Sequence, residues 1–395
     1  MRTTGISPTP QEQTARPTES VDIVKISRKQ EMDDFIRVTD EIYCDYPQYV
    51  PDFVSDIRAM FNPQKNPGLA FSSLQPFVAY RSGRPVGRIV GIINRHANER
   101  WQTRNVRFSM IEFIDDLTVS RALLGAVAEW GREQGMTNLQ GPLGITDFDK
   151  EGMLVEDFQL MGSMNTIYNP PYYPRHLEAL GFMKEADWVQ IRVRVPQEIP
   201  ERYARIAAYC RQHLKLRVVK LTNRDITHGG YGRRIFDVLN AAYAHLFGFS
   251  AFSPEQADLF VSKYISLIDK QLIPVILDEE GEVVGAAITM GSLSHAVRKS
   301  HGKLLPTGWF HLLKALRWQR ENSVEMLLIA VHPKYQGKGV NALFFDDLIP
   351  IYNKYGFEWA ETGPQLEDNV RELSQWKDLK PQYVKRRRCY CKQID

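Results

Sequence analysis

Six residues, Gln336-Gly337-Lys338-Gly339-Val340-Asn341, have a composition that suits holding an anion. They follow the apolar run MLLIAV and lead into residues with helical patterning. A helix N-terminus carries unpaired N–H groups and partial positive charge. Glycines at 337 and 339 remove Cβ atoms and permit positive φ, so successive N–H groups can turn toward one phosphate. The stretch is neither G-x-x-x-x-G-K-[ST] nor the dinucleotide G-x-G-x-x-G, because Ala342 is out of frame and no acidic partner follows at the right distance. Two other groupings are candidates for chemistry. Asp147, Asp149 and Glu151 form a D-x-D-x-E cluster within a long segment, 143–174. The glycine and terminal glutamate of a calcium loop are misplaced there, so no metal is expected, and the segment reads either as a wall of an acceptor pocket or as a surface excursion. Cys44, Cys210, Cys389 and Cys391 lack C-x-x-C spacing and read as free thiols.

The elements that must position the loop occur twice. PFVAYRSGRPVGRIVGIINR from Pro76 and IPVILDEEGEVVGAAITMG from Ile273 both read as strand–turn–strand hairpins, with equal spacing from Pro76 to Gly87 and from Pro274 to Gly285. Downstream, a helix from Ala122 leads to a strand ending at Gly141-Pro142, and a helix from Ala342 leads to a strand ending at Gly363-Pro364. The chain therefore reads as two copies of one α/β unit. The first copy passes from strand to helix through DDLTVSRA, without glycine, so the loop belongs to the second copy alone. The second copy also carries an insertion, 291–322. Within it Trp309, Leu312, Leu313 and Leu316 share one helical face, and no acidic residue occurs from Ala296 to Arg320. That is the composition of a helix lying on anionic lipid, covering an acyl groove, or packing on its own domain.

The pattern Q-x-x-G-x-[GA], the flanking words VHPKYQGKG and the order hairpin, strand, helix, strand resemble the GNAT superfamily of acyl-CoA transferases. The chain is similar to a bacterial tandem GNAT-like family that includes proteins proposed as ceramide synthases. The resemblance covers about residues 22–392. It implies an α/β (α+β) fold of two tandem GNAT-like domains, each a mixed central sheet flanked by helices. The expected units are a leader at 1–21, a degenerate domain at 22–196 and a CoA-binding domain at 197–395. The implied cosubstrate is acyl-CoA. Its pyrophosphate would meet Gln336, Gly337, Lys338, Gly339, Val340 and Asn341, where Asn341 departs from the usual small residue. Its pantetheine arm would lie between strands Val324 to Val331 and Phe357 to Thr362. Backbone at Ile329, Ala330 and Val331 would hold the developing oxyanion. Asn369 matches the asparagine that precedes the usual acid tyrosine by seven residues, but Trp376 stands at that place, and an indole is no acid at neutral pH. Tyr335, Tyr352 and Tyr383 are the alternatives. Glu361, where the strands would open, is the candidate base, with His332 at the loop mouth as a further candidate; Glu325 lies on the motif strand with its facing undecided. Glu367 and Asp368 read as first-turn charges.

The bulk numbers agree with such a chain. Its 395 residues suit two domains, and 43% hydrophobic and 25% charged residues suit a globular protein. A net charge of +3 gives no argument for nucleic acid. No apolar run approaches the roughly 18–20 residues of a membrane span, and the start lacks a signal-peptide core. The expected site of action is the cytoplasm, with 303–320 offering peripheral contact to the inner membrane face. The function expected is transfer of an acyl group from CoA to an amine, either small or a long-chain lipid amine. An aminoacyl-tRNA-dependent transferase and a non-catalytic CoA sensor are the rivals. The basic run from Lys385 to Arg388 reads as a solvated strand edge.

Overall fold

The structure, a computed structural model, describes residues 20–318 and 320–394. Most of the expected leader, 1–21, lies outside the described residues. Fourteen strands form one sheet among the described residues. The first half supplies β1 (Asp22–Lys25), β2 (Ser72–Arg81), β3 (Arg84–Asn94), β4 (Asn105–Phe113), β5 (Asn138–Gly141), β6 (Met153–Leu154) and β7 (Met183–Arg194). The second supplies β8 (Arg217–Lys220), β9 (Pro274–Leu277), β10 (Val283–Gly291), β11 (Ser323–Val331), β12 (Trp359–Thr362), β13 (Gln365–Leu366) and β14 (Gln382–Gln393). Both expected hairpins form, β2 against β3 and β9 against β10. Both expected helices form too, at Leu117–Glu133 and Asn341–Tyr355.

The sheet order is β1-β2-β3-β4-β5-β14-β7-β12-β11-β10-β9-β8. Five strands of one half therefore mirror five of the other, and they meet at β14 and β7. Each of those two strands is placed against the other half. β7 pairs with β12, Trp359 opposite Arg194, while β14 pairs with β5, Tyr390 opposite Gly141. The covalent boundary near residue 196 is thus not a boundary in the sheet.

This crossing explains the basic run, and it corrects the reading as a solvated edge. β14 lies in the middle of the sheet, and Lys385 and Arg387 are buried. Arg388 grips Asp187 on β7 with two bonds, Nε to Oδ1 at 2.8 Å and Nη2 to Oδ2 at 3.0 Å. Burial would raise the Asp187 carboxyl, but Arg388 and Lys184 outweigh it and hold that group below its ordinary range. Arg387 donates to Thr166 Oγ1 at 2.9 Å and to the Ile167 carbonyl. Burial pushes its pKa down to about 10.

Because β14 separates β5 from β7 and β12 covers the other side of β7, a fragment ending at 196 would bare the edge of β5 and both edges of the twelve-residue β7. Residues 20–196 alone are expected to aggregate, and co-expression with 197–395 should restore a soluble complex. Size-exclusion chromatography and thermal melts check this. A monomeric 20–196 fragment with a cooperative transition would contradict it.

Candidate active site

β11 and β12 run parallel, in register from Ser323↔Trp359 to Met326↔Thr362. The last rung is Gly363 N–H to the Met326 carbonyl at 2.9 Å. Pro364 has no N–H with which to continue, and β12 ends. β11 runs on to Val331, so its far edge is open. One residue past this last rung, Leu327 forms a bulge against β10. On the open edge, the Tyr243 hydroxyl donates to the Ile329 carbonyl at 2.9 Å, and Gln336 Nε2 donates to the Val331 carbonyl at 3.0 Å.

The glycine loop closes one end of this opening. Gly337 and Gly339 have φ of 77° and 79°. A Cβ on Gly339 would sit 2.5 Å from Ile206 Cγ2, whereas one on Gly337 would meet nothing. The N–H groups of Gly337, Gly339 and Val340 have no protein acceptor among the described residues. The helix Asn341–Tyr355 that follows has no side-chain cap. Donors without acceptors at a helix start suit a pyrophosphate. The first half shows the contrast. There Asp116 caps the equivalent helix, accepting from Thr118 N–H at 2.8 Å. The strand edge past Arg107 is closed by the chain itself: Phe113 N–H donates to the Tyr173 hydroxyl at 2.9 Å, and Tyr172 donates to the Phe113 carbonyl at 2.6 Å. Sequence showed that the loop is missing there; the structure adds that the groove is filled.

A cavity of about 2130 Å³ runs from the opening between β11 and β12 toward the first half. Every residue expected to meet the cosubstrate lines it except Lys338, whose amine lies over the Tyr335 ring at 5.3 Å. Glu361 lines it as well, but Oε1 is paired with buried Lys385 at 2.5 Å and accepts from Gln190 at 3.1 Å. Tyr335 lines it, with its hydroxyl 3.4 Å from Asp278 and its pKa raised by burial and by that carboxylate. His332 does not line it; its Nδ1 accepts from Lys334 N–H at 3.3 Å and its ring faces a smaller, separate hollow. Tyr352 is buried, Tyr383 is exposed outside the cavity, and Trp376 is buried edge-on to Phe345. Asn369 caps the helix Val370–Ser374. The described residues hold no group of three or more metal-ligating side chains.

Acidic groups beyond Glu361 line the cavity, Glu372, Glu325 and Asp147 among them. Glu372, in the first turn after Asn369, lines the cavity. It accepts from Gln375, whose Oε1 accepts from Asn341 Nδ2 at 2.6 Å, so a side-chain chain links the loop to this carboxyl. Burial pushes its pKa up to about 7. Its charge reaches Tyr243, whose own pKa is raised, first by burial and then by Glu372. Glu325, opposite Glu361 in the ladder, accepts from Asn165 of the first half at 2.9 Å. Burial and then Glu361 raise its pKa. Asp147 is likewise raised to about 7 by burial, against the pull of Arg107. The 143–174 segment therefore does supply cavity wall, with Phe148 stacked on Phe252 of the second half at 4.3 Å. The inserted helix Gly308–Arg317 supplies another wall, through Trp309, Leu312, Leu313 and Leu316.

A two-fold repeated α/β unit, a parallel pair that opens at a proline and a glycine loop at the opening define the tandem GNAT fold, and the chain has it. No family model matches the sequence. Among solved structures, a tandem GNAT protein from the clavulanic acid biosynthesis pathway superposes with a TM-score of 0.56 at 12% identity, over 95% of this chain and 99% of the other. A GCN5-related N-acetyltransferase from Sphaerobacter thermophilus superposes at 0.51 and 10% identity, over 95% and 96%. In sequence, the chain is 25% identical to Protein YghO of Escherichia coli over 374 residues, 93% of this chain and 94% of that one. It is 24% identical to a protein named Bacterial ceramide synthase from Caulobacter vibrioides over 316 residues, 80% and 81% respectively.

The Glu372 carboxyl has a testable linkage. Its pKa rises from about 4.3 in the unfolded chain to about 7 in the fold. A raised carboxyl contributes fully below the unfolded value and loses that contribution as pH climbs through the folded value. Glu372→Gln removes the dependence. The melting temperature of the variant minus that of the wild type should therefore grow from pH 4.5 to pH 7 and level off above. A difference that stays flat across that window would contradict the assignment.

Proposed function

We propose that the chain is an acyl-CoA-dependent N-acyltransferase whose acceptor is a long-chain amine. The supporting observation is the cavity: it joins the unsatisfied N–H groups of the loop to a volume well above the about 300–1,000 Å³ of ordinary ligand sites. Its inserted wall is built from Trp309, Leu312, Leu313 and Leu316, which suits two chains of methylenes better than a small amine. The name of the Caulobacter relative points the same way. Acidic side chains outnumber basic ones along the cavity wall, which makes it a poor surface for a phosphate-rich tRNA.

In the reaction the amine nitrogen attacks the thioester carbonyl. A C–N bond forms, the C–S bond breaks, the amine loses a proton and the thiolate gains one. Loop N–H groups at 337, 339 and 340 hold the pyrophosphate, and backbone of β11 past the Leu327 bulge faces the oxyanion. Glu325 takes the amine proton in this reading, because Glu361 is already engaged by Lys385. Glu372 fills the place left by the missing tyrosine. A carboxyl near 7 can protonate a thiolate whose acid form lies at about 8.5.

Thiol release from acetyl- to palmitoyl-CoA, against short and long amines, tests this. The long-chain acyl donor with the long-chain amine should turn over fastest. Glu325→Gln and Glu372→Gln should each lower kcat by about a hundredfold or more, and Glu372→Gln should remove the fall in rate above pH 7. Preference for acetyl-CoA would defeat the lipid acceptor. CoA binding without turnover of any pair would leave a sensor instead.

A further inference from the structure

The segment around the helix Gly308–Arg317 also bares side chains away from the cavity. Trp309, Leu312, Leu313 and Leu316 look into the cavity, but Leu305, Phe310 and Trp318 do not line it and are 78%, 47% and 68% exposed. Trp309 remains 51% exposed at the rim. Adjacent aromatic and aliphatic side chains bared on one short segment are uncommon on a soluble surface. From Ala296 to Arg320 the segment's own charges are all of one sign, and the nearest acid in sequence is Glu321, which accepts from His295 N–H at 3.0 Å. Arg298, Lys299, Lys303 and Arg317 are exposed, Lys314 is half-buried, and none of the five has an ion-pair partner among the described residues. Arg320 alone is paired, with Asp269 at 3.6 Å. Elsewhere the surface pairs its cations freely, as in Arg58–Asp33 and Arg233–Asp258.

We propose that this face docks on an anionic lipid bilayer and opens the cavity toward it. The apolar residues enter the boundary between headgroups and acyl chains, and the unpaired cations meet the headgroup charge. The helix is then a partition, with bilayer on one side and cavity on the other. No helix among the described residues is long and apolar enough to cross a membrane, so the contact is one of surface lying. The segment is fixed to the body of the protein: Val54 N–H donates to the Gly302 carbonyl at 3.1 Å, and the Cβ that Gly302 lacks would lie 2.1 Å from the Asp52 carbonyl oxygen. Docking would therefore orient the whole molecule. That the cavity takes a lipid amine rests on the function proposed above; the docking itself does not.

Sedimentation with vesicles, without any substrate, tests the docking apart from catalysis. Phosphatidylglycerol/phosphatidylcholine vesicles should carry down the wild type, and phosphatidylcholine alone should carry down at least tenfold less. Raising the salt should release it, since exposed charges are screened. The variant Leu305→Glu/Phe310→Glu/Trp318→Glu alters only exposed side chains outside the cavity. It should keep its melting temperature and lose at least tenfold of its vesicle partition. Arg298→Ala/Lys299→Ala/Lys303→Ala should lose the preference for anionic vesicles. Equal partition of the wild type and the glutamate variant would overturn the proposal. So would a wild-type dimer, free of vesicles, that the glutamate variant converts to monomer, because the patch would then be covered by a second copy.

Discussion

Prolines at equivalent places, 142 and 364, end a parallel strand in each half, and the rest of the molecule depends on what happens beyond them. Without an N–H, a proline cannot extend the ladder, and the longer neighbour is left with carbonyl and N–H groups on a bare edge. Those groups must be satisfied. In the first half Tyr172 and Tyr173 do so from within, and Asp116 caps the helix that follows β4. In the second half Tyr243 and Gln336 take two carbonyls, and the N–H groups of Gly337, Gly339 and Val340 have no acceptor among the described residues. One half has thus been sealed by its own side chains, and the other left open.

The crossing of β7 and β14 sets what can face that opening. Since each half completes the other's sheet, the two cannot separate without breaking strand pairing. The joint is polar: Arg387, Lys385, Gln190 and Glu361 form a buried network, and Asn165 reaches Glu325 from the first half. Buried charges of this kind require partners, and the first half supplies several of them. Its contribution is therefore cavity wall and support for the joint, while the glycine loop belongs entirely to the second half.

The local features were legible in the sequence. The glycine loop, the hairpins, the Gly-Pro strand ends and the helix face at 309, 312, 313 and 316 depend on spacings within some twenty residues, and all are found as read. The misreadings involve distance. The basic run at 385–388 looked like a solvated edge because nothing in its neighbourhood announces Asp187 or Thr166, about two hundred positions away. Tyr243 belongs to no motif. Glu372 carried one usable signal, its place three residues after Asn369 in the first helical turn, but that spacing reads first as a capping pattern and a dipole charge. Only packing shows that this carboxyl faces a cavity and is held near neutrality there.

The central claim is that one donor site exists per chain and lies in the second half. Calorimetric titration with CoA measures both parts at once. The wild type should bind one CoA per chain. Gly339→Asp, which sets a side chain against Ile206 and a negative charge beside the phosphate, should bind none and melt somewhat lower, because its backbone is strained, but still in one cooperative transition. Two equivalents per chain, or unchanged binding by Gly339→Asp, would contradict the account.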